Sequence, residues 1–143
     1  PHLLISNQRL TGYKDALLKH GLPVPSKYVV HCDYTQDNTV TQTLALLDLP
    51  EPPDGLLAVS DRIALSAMYA IKTKGWRIPD DLALVSFNNE PICSFLSPAL
   101  TSVSQPIQEM GTECVRILLK QIESEENEYK KEIKILDTQL VVR

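Results

Sequence analysis

The sequence predicts an α/β fold, a mainly parallel sheet flanked by helices on both faces. Three observations predict it. Apolar stretches of strand length alternate with helical stripes along the chain, the pattern of a parallel sheet with crossover helices. Two of those stretches, Leu56-Leu57-Ala58-Val59 and Leu82-Ala83-Leu84-Val85, are apolar at every position, which suits buried parallel strands. Both run directly into polar residues, Ser60-Asp61 and Ser86 to Glu90. Two successive strands therefore end in polar groups on one edge of the sheet, and in an open α/β sheet that carboxyl edge is where ligands bind.

Each element follows from its own residues. Ser6 or Asn7 can cap a first helix running to about His20, with Leu10, Tyr13, Leu17 and Leu18 on its inner face. Gly21 ends it, and Pro23 and Pro25 forbid continuation. Tyr28-Val29-Val30-His31-Cys32 reads as a strand, and Asp33 to Asn38 as a polar turn. Val40, Leu44 and Leu47 mark a second helix stopped by Pro50, and Pro52-Pro53-Asp54-Gly55 connects it to the strand starting near Leu56. Asp61 can accept hydrogen bonds from the free N–H groups of the next helix, about Arg62 to Lys74, whose stripe is Ala64, Leu65, Met68 and Ile71. Gly75 sits where a left-handed cap belongs, and Pro79 bars resumption. A strand over Leu82 to Phe87 follows, then an irregular stretch from Cys93 to Leu100 between Pro91 and Pro98. Ile107, Met110, Cys114, Ile117, Leu118 and Ile122 line a long amphipathic helix. Glu123 to Lys131 is charged and reads as a solvated loop or hairpin, and Ile133 to Val142 alternates like an edge strand.

Composition bounds the function. With 143 residues, one domain is the default, and 43% hydrophobic residues are enough for a real core. A net charge of −4 argues against direct contact with nucleic acid, because phosphate binding wants a basic face. Cys32, Cys93 and Cys114 are odd in number and lack metal-type spacing, which fits a reducing, cytoplasmic setting. No run approaches ~18 consecutive apolar residues, so no membrane span is expected, and the start has no signal-peptide layout. No phosphate-binding glycine loop, metal spacing or cofactor motif is present. His31-Cys32-Asp33 sets a nucleophile beside a base, but successive strand side chains point to opposite faces, which disfavours a dyad. The acidic pairs Asp80-Asp81 and Glu125-Glu126 read as solvated.

The pieces Arg9-Leu10-Thr11-Gly12-Tyr13-Lys14-Asp15-Ala16-Leu17, Val59-Ser60-Asp61, Ala64-Leu65-Ser66, Gly75 with Pro79, Phe87-Asn88-Asn89, and Pro98-Ala99-Leu100-Thr101-Ser102-Val103-Ser104-Gln105-Pro106 occur in this order. In that order and spacing they resemble the effector-binding core of the lac-repressor family of bacterial transcription regulators, from about Asn7 to Leu119. The resemblance implies a periplasmic-binding-protein-like fold, truncated to one subdomain plus a crossover helix. Residues 1–101 and 133–143 would form the C-terminal subdomain, and 102–132 a crossover segment and helix belonging to the other. The DNA-binding domain, most of the first subdomain and the strand before Pro1 would lie outside this chain. Implied partners are a small-molecule effector (a sugar, sugar acid or phosphate, or a purine), DNA through that N-terminal domain, and a second copy in a homodimer.

The same resemblance marks site residues. From the residues alone, Arg9 opens a helix, where it opposes the macrodipole and reads as solvated. In the family this Arg grips the effector, as a guanidinium fork suits hydroxyls or a carboxylate. Tyr34 alone is a surface aromatic, but its family counterpart stacks on the effector ring. Ser60 stands where the family usually has an effector-contacting Asn, and its shorter reach points to a lost or water-mediated contact. Asp61 is carried over with the effector-binding set, although its own residues read as a plain N-cap. Asn88 replaces the usual Asp, keeping one acceptor and adding two donors. Arg9 would then be freer to pair with an anion, pointing to a carboxylate or phosphate ligand or a weakened site; otherwise Asn88 is a turn residue. Gln105, in the matched Gln-Pro pair at the crossover, is carried over with the effector-binding set. Leu65 and Phe95 match subunit-interface positions, with burial of Phe95 under its own loop as the alternative. The function so implied is a ligand-sensing dimerisation module of a transcription regulator. A periplasmic sugar-binding protein of the same fold is the first rival, and a small α/β hydrolase the second.

Overall fold

The computed structural model describes residues 4–124 and 131–143. The elements run α1 (Leu4–Lys19), α2 (Gln36–Leu47), β1 (Gly55–Leu57), α3 (Asp61–Thr73), β2 (Ala83–Asn88), β3 (Thr101–Ser104), α4 (Ile107–Glu123) and β4 (Gln139–Val141), with short 3₁₀ turns at Ser26–Tyr28 and Pro91–Ser94. The four strands form one sheet in the order β1-β2-β3-β4. The β1–β2 and β2–β3 pairs are parallel and β3–β4 is antiparallel, so the expected mainly parallel sheet is present.

Register sets what each face carries. Leu56 pairs with Leu84, and Ser86 with Ser102, so these four share one face. Leu57 with Val85 and Phe87 with Val103 share the other. Against the first face lies α3, whose Ile63, Ala64, Met68 and Ile71 join Leu47, Ala58, Leu82, Leu84, Cys93 and Leu100 in one buried cluster. Each fully buried Ile or Leu there contributes about 1.5–3 kcal/mol. Packed beside α3, α2 buries Thr39, Thr43, Leu46 and Leu47. Its two buried threonines donate to the carbonyls of Thr35 and Thr39, at 2.8 Å each, so neither hydroxyl is stranded.

Both predicted glycine caps form. Gly21 and Gly75 have φ of +70° and +82°. Gly21 and Leu22 donate to the carbonyls of Leu18 and Leu17, and Gly75 and Trp76 to those of Lys72 and Ile71, the paired bonding that closes a helix through a left-handed residue.

Several expectations need correction. The first helix starts at Leu4, so Ser6 and Asn7 lie inside it and cap nothing. Leu10, Tyr13 and Leu17 are half-buried, but Leu18 is exposed. No strand forms over Tyr28–Cys32: after Pro25, Tyr28 and Val29 donate back to the carbonyls of Pro25 and Ser26, which spends the amides that would begin a ladder. The rest of that segment is separated from β1 by a cavity that both line. Thr101–Ser104, expected only as a crossover, is a strand between β2 and β4. The closing strand is three residues long, and Ile133 and Ile135 upstream of it are 73% and 85% exposed. The predicted Glu123–Lys131 loop and the Glu125-Glu126 pair fall largely outside the described residues. Long and amphipathic as expected, α4 buries none of its residues, while Arg116 and Lys120 on it pair with Glu132.

Candidate functional site

Three parallel strands finish side by side, and polar groups gather at that edge. Val59 follows β1, Asn88 is the last residue of β2, and Gln105 follows β3. Arg9, on α1, reaches across to them. Its guanidinium donates to the Val59 carbonyl and to Asn88 Oδ1 (3.4 Å), and lies over the Phe87 ring, 4.5 Å from the centroid. Gln105 Nε2 donates to the same Asn88 Oδ1 at 3.0 Å. Arg9, Asn88 and Gln105 are thus drawn together from elements 79 and 17 residues apart in sequence. Because α1 begins at Leu4, Arg9 lies more than a turn inside the helix and does not open it. Nor is it as free as the Asn88 replacement suggested, since that Asn accepts from it. Burial lowers the Arg9 pKa, while Tyr34 and Asp61 push it back up.

Tyr34 lies beside this group. Its φ is +67°, a backbone region that aromatic residues adopt only when surroundings impose it. Its hydroxyl shares a 3.0 Å hydrogen bond with Ser6 on α1. Asn88 and Asn89 also have positive φ, +108° and +55°. Among the described residues these three are the non-glycine positions with positive φ, and Asn88 and Asn89 stand at the carboxyl edge itself.

Ser60 and Asp61 differ from their expected roles. Ser60 is the N-cap of α3, its side chain accepting from the Ile63 N–H at 3.4 Å. Asp61 is the first helical residue and is fully buried. Its Oδ1 accepts from Ser86 Oγ and from Ser102 Oγ (2.8 Å), and its Oδ2 from the Glu90 N–H (2.6 Å). Burial pushes this carboxyl up, but hydrogen bonds from Ser86, the Glu90 amide, Ser102 and Cys93 outweigh it and hold it below the ordinary carboxylate range. On the other side of that bond, Cys93 is pushed up to about 11 by its burial and by Asp61. The two serines were not singled out from sequence. No local signal marked them: Ser86 reads as the polar end of an apolar run, Ser102 lies in the hydroxyl-rich Thr101–Ser104, and only the register of β2 on β3 pairs the two. Arg143 was missed as well: its guanidinium donates to Asn89 Oδ1 and to the Leu100 carbonyl, both at 2.8 Å.

A cavity of about 650 Å³ opens between α1 and the 29–32 segment on one side and β1 and α2 on the other. Apolar side chains such as Leu10, Leu17, Leu46 and Leu56 line most of it, and Arg9, Tyr34 and Phe87 line it too. Asn88 and Gln105 do not, so the polar group and the cavity overlap without coinciding. Leu65 and Phe95 make none of these contacts: Leu65 is half-buried on α3, and Phe95 is 81% exposed, which rules out burial under its own loop. Among the described residues no cluster of His, Cys, Asp and Glu could hold a metal ion, and no helix is long and apolar enough to cross a membrane.

A family model described as a periplasmic binding protein-like domain matches residues 2–143. The HTH-type transcriptional repressor CytR of Escherichia coli (strain K12) is 32% identical over 97% of this chain and 40% of its own length. The crystal structure of a regulatory protein of the LacI family from Chloroflexus aggregans superposes with a TM-score of 0.87 at 34% identity, covering 96% of this chain and 49% of that one. The complex of the transcriptional regulator CelR with cellobiose gives a TM-score of 0.82 at 34% identity, covering 94% and 40%. The chain therefore spans about two fifths of the length of the curated relatives it matches.

Proposed function

The chain belongs to the periplasmic binding protein-like family, in the form carried by lac-repressor-type regulators, and on that premise we propose that it forms one wall of an effector-binding cleft. The single observation that carries this reading is the convergence of Arg9, Asn88 and Gln105 at the carboxyl ends of three neighbouring strands. Such an edge offers directional polar groups above a rigid sheet, with Tyr34 and Phe87 supplying flat apolar faces for a sugar ring. The CelR–cellobiose complex supports a sugar-like ligand.

Donor and acceptor inventory narrows the class. Asn88 spends its oxygen on Arg9 and Gln105, leaving its NH₂ group to face a ligand. Asp61, which raises the Arg9 pKa, turns its oxygens to Ser86, Ser102 and Glu90. The wall is rich in donors and Arg9 brings a guanidinium to it, which favours a carboxylate- or phosphate-bearing sugar over a neutral one. Ser60 adds only a capping hydroxyl.

In this reading residues 1–101 and 133–143 make one subdomain together with the rest of β3, so that the crossing to the other begins after Ser104 rather than at 102. The exposed apolar stripe of α4 supports that division. Leu65 and Phe95 face a second copy, and ligand binding biases a two-state equilibrium that repositions DNA-binding domains elsewhere in the protein, in the cytoplasm. The periplasmic transport rival is not favoured, because the relatives are transcription regulators.

Thermal-shift screening of the full-length protein against neutral sugars, sugar acids, sugar phosphates and purines tests it. A stabilising anionic sugar is expected, its effect abolished by Arg9→Ala and moved towards neutral sugars by Asn88→Asp. A ligand whose stabilisation survives Arg9→Ala would place the site elsewhere.

A further inference from the structure

We propose that Asp61 is a positioning residue of this wall: its buried carboxylate holds the Asn88–Glu90 turn in the backbone conformation that aims Asn88 at Arg9 and Gln105. The role rests on the reading of the carboxyl edge as a ligand wall, but the mechanics do not require a ligand. Asp61 has no exposed surface, so a molecule in the cleft does not touch it. It acts through the turn.

Two consecutive amides are tied to this one side chain. Glu90 donates to Asp61 Oδ2 at 2.6 Å. Asn89 donates to Ser102 Oγ at 3.0 Å, and that hydroxyl donates in turn to Asp61 Oδ1 at 2.8 Å. Ser86, two residues before Asn88 on the same strand, also donates to Oδ1. The carboxylate thus grips β2, β3 and the turn at once. Between these anchors lie Asn88 and Asn89, at φ +108° and +55°. Residues with side chains hold such angles only where the surroundings over-determine them, and here the over-determining group is identifiable. The other side of the turn is held by Arg143, which donates to Asn89 Oδ1. Every hydroxyl and amide in the chain of bonds has one assigned direction, because an ionised carboxylate accepts only. Replacing it with an amide turns one acceptor into a donor that meets donors.

The same carboxylate anchors the segment that follows. Cys93 N–H donates to the Glu90 carbonyl at 2.9 Å, and the Phe95 N–H to that of Ile92 at 2.9 Å. The stretch presenting exposed Phe95 is therefore built directly on the turn that Asp61 fixes.

The test uses the full-length protein carrying Asp61→Asn, with Ser102→Ala as the milder variant that removes the bonds of Ser102 Oγ to the Asn89 N–H and to Asp61 Oδ1 but leaves those of Glu90 and Ser86 to the carboxylate. Hydrogen exchange is followed in the peptide from Phe87 to Pro91, with α2 as internal reference, and the crystal structure of each variant is solved. In Asp61→Asn, exchange in the turn should accelerate about tenfold or more relative to α2, with Asn88 leaving positive φ and losing its contact with Gln105. Turn and α2 accelerating together would make Asp61 merely structural and overturn the proposal. So would a variant in which Asn88 keeps its present φ and contact. Should Asp61→Asn fail to fold, Ser102→Ala decides by the same two readouts. None of these involves a ligand, so an empty ligand screen would count against the proposed cleft and leave the positioning role standing.

Discussion

At the scale of single residues, the buried carboxylate of Asp61 makes the stability of the fold depend on pH in acid. Its folded pKa is depressed, while an unfolded Asp titrates at about 3.9. The stabilisation it supplies is therefore complete above the unfolded pKa and is lost as pH falls through the folded value. Urea midpoints at pH 7 and near pH 3 should show Asp61→Asn less stable than the parent at pH 7, with the gap narrowing in acid. A gap that stays constant would mean the carboxylate is not ionised in the fold. Asp33, Asp81, Glu51 and Glu132 are also depressed, but the first three are exposed and Glu132 is half-buried in surface ion pairs, so their share is screened. Asp61 also marks how far a residue-level reading of the sequence reaches. Its place at the strand–helix junction was legible from the apolar run before it and the helical stripe after it. Its partners were not, since Ser86 and Ser102 lie 25 and 41 residues away, and only register brings them under one carboxylate. The cap belongs to the neighbouring Ser60 because Asp61 is turned inward.

At the scale of elements, helix ends were the most legible feature, because a left-handed cap is a local demand that glycine meets without a side-chain clash. A methyl group at Gly75 would meet open space, so any cost of substitution there is conformational. Gly75→Ala should lower stability by about 1 kcal/mol, read as a fall in the denaturation midpoint without change in slope. An unchanged midpoint would show that the cap is not held. Strands were less legible. Tyr28–Cys32 has the right residues for a strand and lacks the pairing, whereas Thr101–Ser104 looked like a connector and pairs on both edges. Strand identity depends on what lies alongside, and short apolar runs carry no record of it. The buried face of α2 was legible only in part: Leu47 is buried and Val40 and Leu44 are half-buried, but Thr39 and Thr43 enter the core by bonding their own helix, which an apolar periodicity does not count.

At the scale of the whole molecule, the chain leaves much apolar surface uncovered. Ile107, Val115, Leu118, Leu119 and Ile122 on α4 are each at least half exposed, and a helix with such a stripe is normally packed against something. The isolated 143-residue chain should therefore bind an apolar fluorescent dye more strongly, mole for mole, than the full-length protein. Leu118→Ser with Ile122→Ser should reduce that binding by about half or more. Equal dye binding by the isolated chain and the full-length protein would show that the stripe stays open in the intact molecule. The sequence by itself determined the alternation of helices with mostly parallel strands, the glycine-capped helix ends and the polar carboxyl edge, because each follows from local conformational preference and apolar periodicity. Only the tertiary structure decided that Arg9 crosses to Asn88 and Gln105, that Thr101–Ser104 is an inner strand, and that Asp61 holds the turn between them. Those depend on contacts between residues distant in the chain, which strand register and packing create and no local pattern encodes.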